Sequence, residues 1–353
     1  MTIFSVWAAI VSVFLLAGNA LAKEHRLQYK KQHRWVMAQL ARGEFSNALK
    51  VLVNLERQFP DDSETQYCLA LAHSGRGDGE RALEYARKAV ALGLPVERLV
   101  AGPRSLNKSL LRSQGFGELA GQGGARLIHG PMLGELGTSS VKIWVRTGRE
   151  CELKAVIEGV SADAVNVSAA NDYTAVIELT RLEPDTFYHY QLFQDEQPVD
   201  VGHETSFRTM PLDGGQKIKI VFGGGARFTP KFEHMWNTIA SHKPDALFML
   251  GDNVYIDRPD IREVGQYCYY RRQSRPEWRR LTATVPVYAI WDDHDFATND
   301  SHGGAAVDIP PWKPRVWGTF TRQWPNPEYG GEDKQPGCYF NYGFGRRVEF
   351  FFL

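Results

Sequence analysis

Two short acidic runs carry the residue types from which a hydrolytic metal centre is built. Gly251-Asp252-Asn253-Val254-Tyr255 follows the apolar stretch Ala246 to Leu250, and Trp291-Asp292-Asp293-His294-Asp295 follows Val285 to Ile290. Two-cation hydrolysis needs a bridging carboxylate, further oxygen or imidazole donors on neighbouring strand ends, and a proton donor for the leaving alkoxide. Both runs offer such groups, and Gly251 would let the backbone turn tightly beneath them. Plainer roles exist for each: a strand-end cap for Asp252, a surface imidazole for His294, a packing side chain with a wet hydroxyl for Tyr255. Between the runs, Arg271, Arg272, Arg275, Arg279 and Arg280 place five guanidinium groups in one span. Guanidinium pairs bidentately with phosphate oxygens, which makes Arg271 and Arg272 candidates for substrate binding. A solvated basic helix face over packed aromatic residues accounts for them equally well. Trp312, Trp317, Trp324 and Tyr329 suggest a loop-rich cover over the site, or a loop packed on the core.

Elements that would position these groups follow from the apolar pattern. After Met210-Pro211, the runs Ile218 to Phe222, Ala246 to Leu250, Val285 to Ile290 and Val348 to Leu353 predict strands buried on both faces in an α/β layered domain. The first three lead at once into polar or glycine-rich sequence, where ligands gather outside the carboxyl ends of strands. From Leu127 to Thr209, residues Val141, Ile143 and Val145, then Leu153, Ala155 and Ile157, then Ala175, Ile177 and Leu179 alternate as strands of a sandwich do. The run Leu182 to Tyr190 is similar to the tyrosine corner of fibronectin type III-like domains, where a Tyr hydroxyl ties a strand to the preceding turn. From Lys31 to Pro95 the spacing is helical, and Gly43, Ala48 and Leu49 fall on Gly77, Ala82 and Leu83 at an offset of 34. That is the tetratricopeptide period, so the stretch resembles two TPR-like hairpins, either a spacer packed on the next domain or a groove for a protein partner. Residues 101–124, rich in Gly, Ser and Arg, are expected to form a connector.

Composition narrows the classes. Lys plus Arg and Asp plus Glu number 41 each, so no global field draws the chain to nucleic acid or an acidic membrane, and no nucleic-acid-binding signature is present. The four cysteines, Cys68, Cys151, Cys268 and Cys338, form no CxxC pair, which argues against a thiolate zinc site or a dense disulfide framework. An apolar run from Phe4 to Leu16 followed by Ala20-Leu21-Ala22 predicts a signal peptide over 1–22 and an exported chain, periplasmic or extracellular, with no membrane span after signal removal. An uncleaved anchor at the membrane is the alternative.

The GDNVY and WDDHD segments, in this order, together with HGPMLGELGTSSVKIWVRT and FRTMP upstream, resemble the alkaline phosphatase D-like metallophosphoesterases. The likeness runs from about His129 onward. It implies a multidomain chain: signal 1–22, TPR-like helical region 23–100, connector 101–124, fibronectin III-like β-sandwich 125–211, and an α/β calcineurin-like metallophosphoesterase domain over 212–353. It also implies hydrolysis of phosphate mono- or diesters. By position, the resemblance makes Asp252 the metal-bridging carboxylate, Tyr255 a phenolate ligand to ferric iron, Asp293 a ligand where relatives use Asn, and His294 the group that protonates the leaving oxygen. Asp292, Asp295 and Asn253 become supporting or additional-ligand candidates, Asn253 also at the substrate.

Two departures from the family pattern stand out. The family commonly reads Gly-Ser-Cys-Ala after its first strand, the cysteine binding iron, whereas this chain has Gly223-Gly224-Gly225-Ala226. The cofactor implied is a site of two or more metals, calcium with iron by resemblance; Gly225 in place of a ligand Cys admits magnesium or manganese instead. Further Asp and His ligands would follow Val348 to Leu353 in the family, so the metallophosphoesterase domain is expected to be incomplete here. A rival of another class is a catalytically incomplete remnant that acts as an interaction protein through its helical and sandwich regions.

Overall fold

The computed structural model describes residues 31–121, 127–213, 217–302, 310–331, 337–345 and 348–353, so the expected signal at 1–22 lies outside the described residues. No helix among the described residues is long and apolar enough to cross a membrane.

Gly43 and Gly77 set the geometry of the N-terminal region. They close α1 (His33–Ala41) onto α2 (Phe45–Gln58) and α3 (Ser63–Gly75) onto α4 (Gly79–Ala91). Both adopt left-handed φ values, +77° and +89°, that an L side chain resists. The turns share one hydrogen-bond pattern: Gly43 N–H donates to Leu40 O and Glu44 N–H to Gln39 O, as Gly77 N–H donates to Ser74 O and Asp78 N–H to His73 O. Each is a Schellman termination, so the offset of 34 seen in the sequence recurs atom for atom in the backbone. Ala48, Leu52 and Leu55 of α2 and Ala82, Ala86 and Ala89 of α4 are buried at the same offset. Helix α3 is buried nearly all round, from Tyr67 to Ala72. Beyond α5 (Val96–Ala101), the span expected to be a connector forms two short helices, α6 (Lys108–Arg112) and α7 (Phe116–Ala120). Leu106, Leu110 and Phe116 are buried there, and Leu110 N–H donates to Ser74 Oγ of α3 at 3.0 Å.

The alternating segments form antiparallel sheets. One runs β1 (Leu127–Gly134), β2 (Val141–Thr147), β6 (Thr174–Leu179); another joins β3 (Cys151–Ile157) to β4 (Val160–Ser161), β5 (Val165–Val167) and β8 (Gln191–Gln194), with β9 (Gln197–Pro198) beside β8. β7 (Phe187–His189) pairs with β10 (Ser206–Arg208). The expected tie is present: Glu183 N–H donates to the Tyr188 hydroxyl at 2.9 Å. β2 departs from simple alternation because both its faces are covered. Trp144 Nε1 donates to Arg322 O at 2.8 Å, and the buried Arg146 guanidinium reaches Asp172, Gln273 Oε1, Gln323 Oε1 and His129 Nδ1. Arg146 therefore knots the sandwich to the α/β region through a fully satisfied fork.

This knot has a pH signature. His129 is fully buried, accepts from Arg146 and shares a hydrogen bond with Ser274 Oγ at 2.8 Å. Burial first, then the Arg146 charge, hold its imidazole well below the ordinary value of 6.5. Below that value the unfolded chain binds a proton that the folded chain refuses, so this contribution is fully present above it and is lost as pH falls. The wild-type unfolding free energy is expected to drop with acidification more steeply than that of His129→Gln, by about 1.4 kcal/mol per pH unit below the unfolded pKa. Denaturant unfolding followed at several pH values reads the two slopes; parallel slopes would refute the assignment.

A parallel three-stranded sheet, ordered β11 (Ile220–Gly223), β12 (Ala246–Leu250), β13 (Val287–Ile290), underlies the acidic runs. It is accompanied by α8 (Met235–Ser241), α9 (Arg262–Gln273), α10 (Pro276–Thr282), α11 (Asp293–Phe296) and α12 (Lys313–Thr321). β13 is buried throughout and β12 up to Leu250, as expected. β11 is not, because it pairs among the described strands with β12 alone, and Phe222 is 68% exposed. The last expected sheet strand is also corrected: β15 (Val348–Phe352) forms an antiparallel hairpin with β14 (Phe340–Phe344). Its Phe350 and Phe352 rings meet Phe248 of β12, each at 4.9 Å, while the intervening Phe351 faces solvent.

Candidate metal centre

Gly251 follows β12 with φ +88°, and a Cβ built on it would lie 2.5 Å from Asp292 Cβ. Only glycine lets the tip of β12 lie this close to the tip of β13. Asp252 follows in the left-handed region, φ +50°, which Asp tolerates better than most residues. Its Oδ2 accepts from the Tyr255 hydroxyl at 2.7 Å; its Oδ1 is buried and has no hydrogen-bond donor. On the neighbouring strand tip, Asp292 caps α11, accepting from Asp293 N–H at 2.8 Å, and presents Asp293 and His294 in the first turn.

One ligand atom each from Asp252, Asp293 and His294 lie within 4.8 Å of one another. Donors to one cation sit about 2.0–2.6 Å from it, so such a spacing suits a shared ion. Two carboxylates held this close repel unless a cation or proton lies between them, and the orphaned Asp252 Oδ1 calls for the same partner. The donor set, two carboxylates and an imidazole with no thiolate, thus fits a hard or borderline cation. Among the described residues it supplies three donors, enough for one cation.

Charges around the cluster are graded. Burial opposes ionisation of Asp293, but the Asp300 N–H, the charge and N–H of His294 and the facing Asp252 carboxyl, which can share a proton with it when no cation is bound, hold its carboxyl below the usual range. Burial chiefly, with help from the Asp252 carboxylate and against Arg227, pushes the Tyr255 phenol up to about 12. Without a cation, Tyr255 is therefore a phenol donating to Asp252; the phenolate role implied by resemblance requires a bound cation's charge. Asp295 is fully buried and accepts from the N–H groups of Asn253, Val254 and Asp292, which ties the two acidic runs together. Burial pushes Asp295 up to about 7 against the pull of those donors.

The remaining expected site residues fall elsewhere. Asp292 spends its carboxylate on the helix cap and stands outside the three-residue cluster. Asn253 is 1% exposed, with its amide donating to Ile290 O and Asp295 Oδ2, so it braces the loop from beneath instead of facing substrate. Arg271 and Arg272 are 5% and 3% exposed. Arg271 donates to the Tyr267 hydroxyl and stacks on Phe228, while Arg272 pairs with Glu233 and donates to Ala226 O at 2.6 Å. Both are internal struts. The aromatic residues after 309 form no simple loop cover: Trp317 lies on α12 and Trp324 is 3% exposed in the core, packed on Trp278 and Phe320. Trp312 packs on Phe296 of α11.

Three functional candidates escaped sequence reasoning. Arg227, exposed just beyond the glycine loop, lies 4.7 Å from the Tyr255 ring centroid and donates to its phenol. Asp257 Oδ1 accepts from His294 Nδ1 at 2.5 Å, and Arg34 of α1 pairs with Asp257 Oδ2 at 2.6 Å. A lone arginine closing the glycine loop after β11 was the available signal for Arg227; nothing local marked the other two. The glycine loop itself abuts the site: Gly225 N–H donates to Gly251 O at 3.2 Å, and a Cβ at Gly225 would lie 3.8 Å from Tyr255 Oη. A side chain at 225 would face the phenol, though from a backbone at φ +69°. A cavity of about 470 Å³ lies elsewhere, between β10 and the amino ends of the parallel strands, lined by Phe207, Met210, Lys217, Asp245 and Val285 among others. None of the acidic-run residues lines it.

Residues 124–211 match the model of a domain of unknown function, DUF7800. No curated protein matches the chain. A solved structure described as "Structure of PhoD" is similar over 62% of this chain and 50% of that chain, with 15% sequence identity and a TM-score of 0.50. The chain therefore spans about half the length of the PhoD structure it matches, and what the two share is a fold of mixed helix and sheet in several domains.

Proposed function

We propose that this chain is an exported, metal-dependent phosphoesterase of the alkaline phosphatase D type, acting on phosphate mono- or diesters. In this reading the N-terminal hairpins are TPR-like, the sandwich is fibronectin III-like, and residues 212–353 belong to a calcineurin-like domain. The observation that carries it is the orphaned, buried Oδ1 of Asp252, clustered with Asp293 and His294 at adjacent strand tips. Asp252 and Asp293 would hold the first cation, with Tyr255 in reserve as a phenolate and the His294 imidazole beside them. Cations bound there would neutralise phosphoryl charge and make a nucleophile available from water near neutral pH. The chain's own groups do the rest. Arg227, exposed beside Tyr255, receives the non-bridging phosphoryl oxygens, replacing Arg271 and Arg272 in that role. His294, with Nδ1 engaged by Asp257, has Nε2 left to protonate the departing alcohol.

The test is cation titration by calorimetry with calcium, magnesium, manganese and iron, alongside turnover of p-nitrophenyl phosphate and bis-p-nitrophenyl phosphate. Cation-dependent turnover is expected. Arg227→Gln is expected to raise KM by about tenfold to a hundredfold, the worth of one charge-assisted hydrogen bond. No cation uptake and no turnover under any condition would remove the proposal.

A further inference from the structure

Arg34 belongs to the first helix of the N-terminal region, yet its guanidinium ends at the candidate centre. It is 4% exposed. One terminal nitrogen donates to Tyr255 O at 2.5 Å, and the other pairs with Asp257 Oδ2 at 2.6 Å. The opposite oxygen of that carboxylate accepts from His294 Nδ1 at 2.5 Å. Charge-assisted bonds of this length run unbroken from α1 to the imidazole. Arg34 also pins the acidic loop twice, once through a backbone carbonyl and once through a side chain, on either side of Ile256, whose N–H donates to His294 O at 3.0 Å.

The chemistry of this chain is specific. An imidazole that donates Nδ1–H to a carboxylate is fixed in one tautomer and one ring plane, with Nε2 left to take up a proton and hand it on. That holds only while the carboxylate itself is fixed. Asp257 sits at φ +51° and is three-quarters buried, so its orientation depends on what grips its other oxygen. Arg34 is that grip, and a planar fork is the group suited to hold a carbonyl and a carboxylate at once. Other bridges also join the helical region to α9, such as Arg98 between Glu64 and Tyr267 O, but their partners stop short of the acidic runs.

We propose that the N-terminal helical region is a working part of the centre, through Arg34 as a positioning residue that fixes Asp257 and thereby the tautomer and orientation of His294. Its kinetic consequence rests on the phosphoesterase reading; its structural consequence does not.

The test uses the full chain with Arg34→Ala, Arg34→Lys, Asp257→Asn and the double variant Arg34→Ala/Asp257→Asn. In metal-free protein labelled with ¹⁵N-histidine, the neutral His294 imidazole of the wild type is expected to show a single Nδ1-protonated tautomer. Arg34→Ala should average the two tautomers, and Arg34→Lys should restore the wild-type pattern in large part. In turnover of bis-p-nitrophenyl phosphate, Arg34→Ala should lower kcat by about tenfold to a hundredfold with KM unchanged. On the Asp257→Asn background, removal of Arg34 should cost no more than about twofold, since both act through one bond. An unaltered His294 spectrum in Arg34→Ala, or full additivity in the double variant, overturns the proposal. Should Arg34→Ala fail to fold, Arg34→Lys and Arg34→Gln carry the comparison, the second keeping a donor for Tyr255 O while losing the charge; a wild-type tautomer in Arg34→Gln then overturns it. If the wild-type protein is inert with every cation, the activity reading falls while the histidine spectra still decide this one.

Discussion

Asp252→Asn is expected to cut cation-dependent turnover by roughly a thousandfold or more and to abolish tight cation binding. Asparagine tolerates the left-handed backbone at this position and can still accept from the Tyr255 hydroxyl, so the fold should survive. What it removes is the charge on an oxygen that no protein donor satisfies. Loss of several kcal/mol of transition-state charge stabilisation, at about 1.4 kcal/mol per tenfold, gives that factor. Metal content after dialysis and kcat with saturating cation read the two effects separately. Wild-type cation stoichiometry in the variant would show that Asp252 is a strand-end cap and nothing more.

His294→Gln is expected to lower kcat by about a hundredfold to ten-thousandfold, the usual range for a lost general acid. The loss should grow as the leaving alcohol becomes a poorer leaving group. A phenyl or methyl ester needs the proton that a p-nitrophenyl ester can do without. The plot of log kcat against leaving-group pKa should therefore steepen in the variant. A uniform loss across esters would instead assign His294 to cation binding, which its place in the three-donor cluster also permits.

Legibility followed the range of the interactions involved. The strand Ala246–Leu250 and its glycine exit were readable because an apolar run and a glycine are local facts. The tyrosine tie spans five positions and the helical turns repeat within themselves, so both announced their geometry in the sequence. Arg271 and Arg272 misled because burial of an arginine depends on partners that spacing does not reveal. The carbonyl that Arg272 bonds is 46 positions away, and the glutamate it pairs with lies on another element. Arg34 lies 221 positions from Tyr255, so no window on the sequence could connect them. Resemblance by position puts Asn253 at the substrate, whereas the buried Asp295 beside it claims its amide. Exposure of β11 and β15 was hidden for the converse reason: an apolar run states what a strand would bury, not whether a neighbour is there to cover it.

The pairing of Leu250 with Ile290 makes the parallel sheet a caliper. Both acidic runs leave the sheet at one level only because these two residues are partners; a slip by a single residue would offset the tips by about 3.3 Å. Coordination tolerates errors of a few tenths of an ångström, so a misaligned chain could collapse, bury its apolar strands and still capture no ion. Ion affinity is then a gauge of strand alignment during refolding, finer than any measure of compactness.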